Sequence, residues 1–213
     1  MNMEYTEKSC REFTEALAGK APIPGGGSVS ALAGALGAAL EHMVGALTEG
    51  KKKYAESQEA IKKAMAEAEE LRTDLLSLVK KDMEAFEPLS RLYAVKAETD
   101  EEKKKKEELM EKALENACKV PLEIMEKCGR VIELSRIFAE KGSRLAVSDA
   151  GAGAIISKAA LQAASLNVYI NTSTMKDREN ADRLNGLCDG YIRAYTEQAD
   201  RVFQYTVEIL QKA

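Results

Sequence analysis

The chain has 213 residues, 45% hydrophobic but only 5% aromatic and without tryptophan, so its core has to be built from Ala, Leu, Ile, Val and Met. A formal charge of -4 leaves no overall basic footprint for nucleic acid. Four prolines are too few for a sandwich of many short strands, and the length suits one domain, 1–213.

Six helical segments are predicted from apolar periodicity and breakers. The first runs from about Ser9 to Ala18, where Ser9 and Glu12 have capping-box spacing and Gly19 can end the turn. Pro22 and Pro24 hold the next residues extended. The second segment starts in the glycine triplet Gly25–Gly27 and ends near Thr48, followed by a turn or short break at Gly50–Lys53. Its apolar stretch, Ala31–Leu47, falls short of the ~20 residues of a membrane span and contains Glu41 and His42, so a buried helix is expected rather than a membrane segment.

The third segment runs from about Tyr54 to Tyr93, with Pro88 expected to kink or end it. Lys96–Lys106 is so dense in charge that a solvated loop leading into a helix start is expected. A fourth segment covers about Lys103–Lys141, kinked at Pro121 and ended by Gly142. The fifth covers about Ser148–Asn171, with Ser148 or Asp149 as its N-cap, and the sixth about Asp177–Leu210. With short connections, this pattern implies an all-α, antiparallel bundle of about six helices.

The four cysteines, Cys10, Cys118, Cys128 and Cys188, are widely spaced and form no CxxC, which argues against a metal cluster. The N-terminus has no apolar signal core, so reduced thiols and a cytoplasmic location are expected.

Three places could carry chemistry. In the second segment Gly27, Ser30, Gly34, Ala38, Glu41 and Gly45 share one helical face. Glycine inside a helix costs about 1 kcal/mol relative to alanine, so this stripe needs close helix packing to justify it. At its start, Gly25-Gly26-Gly27-Ser28 offers free N–H groups at a helix N-terminus, suited either to simple capping or to docking an anion or polar edge. It is neither a Walker A loop nor a GxGxxG.

The third segment carries Leu71, Leu75, Leu78, Asp82, Phe86 and Leu89 on one stripe, which puts a carboxylate in the middle of an apolar face. Such a group is either ion-paired or a candidate for acid/base work. In the fifth segment Asp149, Gly153, Ile156, Ala160, Ala164, Asn167 and Asn171 share a face, and amides there either join helices or read a donor/acceptor edge. Lys51, Lys52 and Lys53 follow a helix C-terminus, where cations suit the macrodipole and could equally receive the carboxylates of a substrate tail. His42 is the one histidine and has no partner spacing that supports a site.

The ordered set PGGGSVSALAGALGAAL, TEGKKKY, KKDMEAF, VPL (120–122), SDAGAGA (148–154) and NVYIN (167–171) resembles the cyclodeaminase/cyclohydrolase domain of the formiminotransferase-cyclodeaminase family, over nearly the whole chain. The resemblance implies an all-helical fold, usually dimeric, working on one-carbon tetrahydrofolates at N5 and N10. It makes Asp82 the expected catalytic residue. Pro24, Gly25, Gly26, Gly27 and Ser28, with Ser148, Asp149, Asn167 and Asn171, would line the folate site. Glu41 and His42 depart from the small or variable residues expected at their positions, which discourages a catalytic role for His42.

The resemblance leads first to a formiminotetrahydrofolate cyclodeaminase, with methenyltetrahydrofolate cyclohydrolase as the alternative. Neither reaction needs a metal or any cofactor beyond the tetrahydrofolate substrate. The length leaves no room for the separate transferase domain of the fused animal enzymes. A reading of another class, a non-catalytic folate-binding or scaffold helical dimer, would use the same glycine stripe for oligomerisation. It gives no reason for an aspartate in an apolar stripe.

Overall fold

The computed structural model describes residues 5–212. Six helices follow one another: α1 (Cys10–Leu17), α2 (Gly26–Ala46), α3 (Gln58–Ala94), α4 (Asp100–Lys141), α5 (Val147–Thr174) and α6 (Arg178–Gln211), with no strand among the described residues. Side-chain contacts set the directions. Gly27, Gly34 and Gly45 of α2 face Asp82, Leu75 and Met65, so α3 runs antiparallel to α2. Gly26 lies against Asn167 and Gly37 against Ser157, so α5 is antiparallel to α2 as well. Lys158–Asp200 and Tyr169–Asp189 contacts pair α5 with an antiparallel α6. The long α4 is the central element and packs on α2, α3, α5 and α6.

The core is aliphatic, as the composition requires: Ile61, Leu75, Leu78, Leu114, Ile132 and Leu161 are fully buried. Small residues let α2 sit inside it. Gly34 stands where a Cβ would meet Cys128 and Leu75, and Gly45 where one would meet Met65 and Phe138. The whole face Gly27, Ser30, Gly34, Ala38, Glu41 and Gly45 is buried.

Helix ends follow local chemistry where a side chain can cap. Ser9 and Glu12 form the expected capping box of α1. Thr99 and Glu102 form an unanticipated one, which starts α4 inside the charge-dense stretch rather than at Lys103. Asp177 caps α6 by accepting from Asn180 N–H at 3.0 Å. Neither proline ends its helix: α3 runs on past Pro88 to Ala94 and α4 continues through a buried Pro121.

The expected cap of α5 is corrected. The N-cap is Ala146, at the end of a 3-10 turn Arg144–Ala146, and neither Ser148 nor Asp149 caps it. The third segment also begins later than expected, because Lys52–Ser57 is a separate 3-10 stretch after Gly50, whose φ of 72° makes the turn. The apolar run of α2 is longer than expected. By taking in the glycines it reaches 21 residues, and among the described residues it is the one helix long and apolar enough to cross a membrane. Here half of that length is buried, against α3, α4 and α5.

Candidate active site

The N-terminus of α2 has a capping problem that α3 solves. Gly25 occupies the N-cap position and has no side chain with which to accept from the first N–H groups. Asp82 does so from the neighbouring helix: the Ser28 hydroxyl donates to its Oδ2 at 2.8 Å, and the Ser28 backbone N–H donates to the same carboxylate. This approach needs a glycine at 27, where a Cβ would lie 2.0 Å from Asp82 Oδ1.

Asp82 is half-buried rather than enclosed. Burial pushes its carboxyl above the ordinary aspartate range, and the two Ser28 hydrogen bonds, which favour the charged form, only partly offset this. The result is a carboxylate held in one orientation, with a raised proton affinity, beside a cleft.

That cleft is a cavity of about 130 Å³ lined by Pro22, Ile23, Gly25–Gly27, Asp82, Phe86, Ala117, Pro121, Asn167, Ile170 and Asn171. Asp82 is the one ionisable side chain on this wall. Asn167 donates to the Ala163 carbonyl at 3.1 Å and lies against Gly26. Asn171 is 7% exposed and bonds with the Cys118 thiol. The arrangement offers amide groups, backbone N–H groups and a proton-accepting carboxylate around a flat, partly apolar slot.

Most of the residues singled out in the sequence therefore meet here: Asp82, Gly25, Gly26, Gly27, Asn167 and Asn171 on the wall, and Ser28 behind Asp82. Pro24 is buried behind the wall, and its neighbours Pro22 and Ile23 line the cavity in its place. Sequence reasoning missed Phe86, Ala117 and Ile170. Pro121 entered only as a helix kink and within VPL, Phe86 only on the apolar stripe and within KKDMEAF, and Ile170 only within NVYIN.

Lys51, Lys52, Lys53, Ser148 and Asp149 are not brought to this cavity. They lie at the far end of α2 and α5, a helix length of about 30 Å away. All three lysines are exposed there. Lys51 reaches Ser143 at 3.4 Å, and Tyr54, next to Lys53, accepts from Arg144 N–H at 3.0 Å. Ser148 is exposed and Asp149 half-buried. Along one helix, residues 20 positions apart cannot share a pocket, however well their motifs match.

A second carboxylate was underrated. Glu41 is fully buried in mid-α2, where it accepts from Ser135 Oγ at 2.5 Å through Oε1, while Oε2 has no partner. Gly153 makes room for it, since a Cβ there would lie 2.3 Å from Oε1. Burial drives its carboxyl well above the usual range and the nearby Asp149 charge adds to this. Glu41 is shielded from solvent and is not on the wall of the Asp82 cavity. Groups of three or more His, Cys, Asp or Glu placed to hold a metal are absent among the described residues.

With the geometry in view, the chain can be compared with known proteins. The formiminotransferase-cyclodeaminase profile matches residues 9–189. A methenyltetrahydrofolate cyclohydrolase of Methylorubrum extorquens is 38% identical over 192 residues, covering 90% of this chain and 92% of its own. A formimidoyltransferase-cyclodeaminase of Gallus gallus is 29% identical over 167 residues, and the match covers 78% of this chain but 31% of that larger protein. The crystal structure of a formiminotetrahydrofolate cyclodeaminase from Thermotoga maritima superposes with a TM-score of 0.79 at 28% identity, covering 97% of this chain and 98% of that one. The profile spans the Gly25–Ser28 helix start, Asp82 and the Asn167–Asn171 wall alike, and the chain belongs to the formiminotransferase-cyclodeaminase family.

Proposed function

We propose that the protein is a methenyltetrahydrofolate cyclohydrolase that adds water to 5,10-methenyltetrahydrofolate to give 10-formyltetrahydrofolate. The observation that carries the reading is Asp82, oriented by Ser28 and raised in proton affinity on the wall of a cleft lined by amides. The choice of reaction rests on the Methylorubrum relative, which is matched over nearly its full length. It reverses the order to which the sequence led, in which cyclodeaminase came first. The cyclodeaminase reaction is the second reading, favoured by the Thermotoga structure.

The chemistry asks for one proton acceptor that becomes a donor. Water attacks the methenyl carbon, forming a C–O bond, and loses a proton to the Asp82 carboxylate. The hydroxylated intermediate then breaks its bond to N5, which takes a proton from the Asp82 carboxyl as the carbonyl of the 10-formyl group forms. One proton is released overall. Asn167 and Asn171 would hold the pterin edge by its donor/acceptor pattern, and the Gly25–Ser28 turn would pack against the ring. The reaction needs no metal or redox group, since no electron is transferred and the substrate carbon is already an activated cation.

The test follows loss of methenyltetrahydrofolate and, in parallel, ammonia release from 5-formiminotetrahydrofolate. The expected result is a larger kcat/KM for the methenyl substrate. Faster ammonia release would install the second reading. Rates at background for both substrates would leave the scaffold interpretation standing.

A further inference from the structure

We propose that Pro121 interrupts the hydrogen-bond ladder of α4 and thereby keeps the Ala117 carbonyl as a hydrogen-bond acceptor in the Asp82 cavity. With the side-chain oxygens of Asn167 and Asn171 it forms a wall that holds the ligand by adjacent N–H groups. The inference deepens the folate reading above and rests on it.

Proline is the residue least suited to a helix interior. It lacks the N–H that the carbonyl four residues earlier would accept, and its ring crowds that carbonyl. Yet α4 runs unbroken from Asp100 to Lys141 with Pro121 buried at its middle. The carbonyl deprived of its helical donor is that of Ala117. Carbonyls in a helix point along the axis at the residue four positions on, so this one points at Pro121. Ala117 and Pro121 both line the cavity.

The other proline inside a helix makes the contrast. Pro88 of α3 deprives the Glu84 carbonyl in the same way, but Pro88 and Glu84 are both exposed, and water supplies the donor there. Ala117 is 5% exposed. A backbone acceptor at that depth calls for a donor, and the adjoining cavity is where one can enter.

The neighbouring amides are turned the same way. Asn167 donates its amide N–H back to the Ala163 carbonyl of its own helix at 3.1 Å. Asn171 donates its amide N–H to the Cys118 sulfur. That sulfur is an acceptor toward Asn171 because its own S–H donates to the Val168 carbonyl at 3.9 Å. Each amide nitrogen is thus committed to the protein, and each amide oxygen is the group left for a ligand. Cys118 follows Ala117 directly, so one turn of α4 sets both the backbone acceptor and the polarity of Asn171. A row of acceptors calls for a row of donors. The 2-amino group and N3–H of a reduced pterin are adjacent donors on one edge, whereas a carbonyl edge would set oxygen against oxygen.

The experiment uses the full chain and Pro121→Ala, which restores the N–H and closes the bond to Ala117. Two probes are titrated by calorimetry: tetrahydrofolate, and its 2-desamino-2-methyl analogue, which lacks the amino donor. The variant should melt no lower than wild type, since alanine favours the helix. Its Kd for tetrahydrofolate should rise about tenfold, the scale of one hydrogen bond to a ligand. The analogue should bind wild type about tenfold more weakly than tetrahydrofolate and be indifferent to the substitution. In turnover KM should rise in step while kcat stays within about twofold, because Asp82 is on another helix. Pro121→Val, closer to proline in volume, carries the same N–H and should show the same selective loss if alanine loosens the packing. Equal weakening of both probes, or wild-type affinity in both variants, would overturn the proposal. So would an analogue that binds wild type as tightly as tetrahydrofolate, a result that needs no variant to fold. Failure of wild type to bind tetrahydrofolate at all would remove the folate reading and this inference with it, whereas tight binding with no Pro121 effect removes this inference alone.

Discussion

Asp82, packed against the start of α2, and Glu41, within α2, are two carboxylates both raised in proton affinity by burial, yet they differ in access and in how they are held. Asp82, on α3, abuts the N-terminus of α2, opens on a cavity and has two donors from Ser28 holding its orientation. Glu41 sits mid-helix, is sealed by α4 and α5, and keeps one oxygen without a partner. A perturbed carboxyl is therefore not enough to mark a site. Access to a ligand and a fixed orientation separate the two, and the comparison can be broken or sharpened by substitution.

The largest effect is expected from Asp82→Asn. The amide oxygen can still accept from Ser28, so the helix cap survives, but no proton can be taken up. Turnover should fall by about 10²–10⁴-fold with Tm little changed. Steady-state kinetics and a melting curve on the same sample check both halves, and retained turnover would remove Asp82 from the mechanism. Gly27→Ala should come next. Its Cβ would overlap Asp82 Oδ1, and the shift needed should cost about 1–3 kcal/mol in stability together with much of the activity. Chemical denaturation reads the first, and an unchanged midpoint would mean that the contact is slack.

Glu41 should matter to stability and not to turnover. Its folded-state affinity for a proton is raised, so its stabilising contribution is complete below the unfolded value near 4.5 and is lost as pH rises through the folded value. Within that window stability should fall by at most about 1.4 kcal/mol per pH unit. Glu41→Gln should flatten this dependence and leave kcat unchanged. Denaturation midpoints across pH test it, and an equally steep profile in the variant would assign the slope to other groups. The smallest effect belongs to Ser28→Ala. Losing the hydroxyl donor removes a bond that favours the charged Asp82, so the acid limb of kcat against pH should move to higher pH. A downward shift would contradict the assigned polarity of that bond.

Much of this was legible in the residues. The aliphatic composition, the Ser9–Glu12 box and the 3.6-residue stripes predict the helices, and the Leu71–Leu89 stripe singles out Asp82 because a charge there breaks an otherwise apolar pattern. The differences arise where local signals meet the assembled bundle. Ser148 and Asp149 look like caps by composition, but the 3-10 turn at Arg144–Ala146 starts α5 a residue before either can serve. Motif order has no information on distance, so it groups with the cavity residues both Pro24, which is buried and off the cavity wall, and the lysines, which lie a helix length away along the chain. Phe86, Ala117 and Ile170 have side chains too ordinary to stand out until three helices converge on them.

The sequence by itself determined which segments are helical, which faces turn inward and which carboxylate is out of place, because these depend on spacing within a single helix and on the aversion of apolar groups to water. The tertiary structure alone decided that Asp82 caps a neighbouring helix, that Glu41 is sealed, and that the lysines stand a helix length from the cavity. Those outcomes depend on which helices run antiparallel and how closely they approach. Glycines at 27, 34, 45 and 153 permit that approach, but only the assembled bundle determines what fills the space they leave.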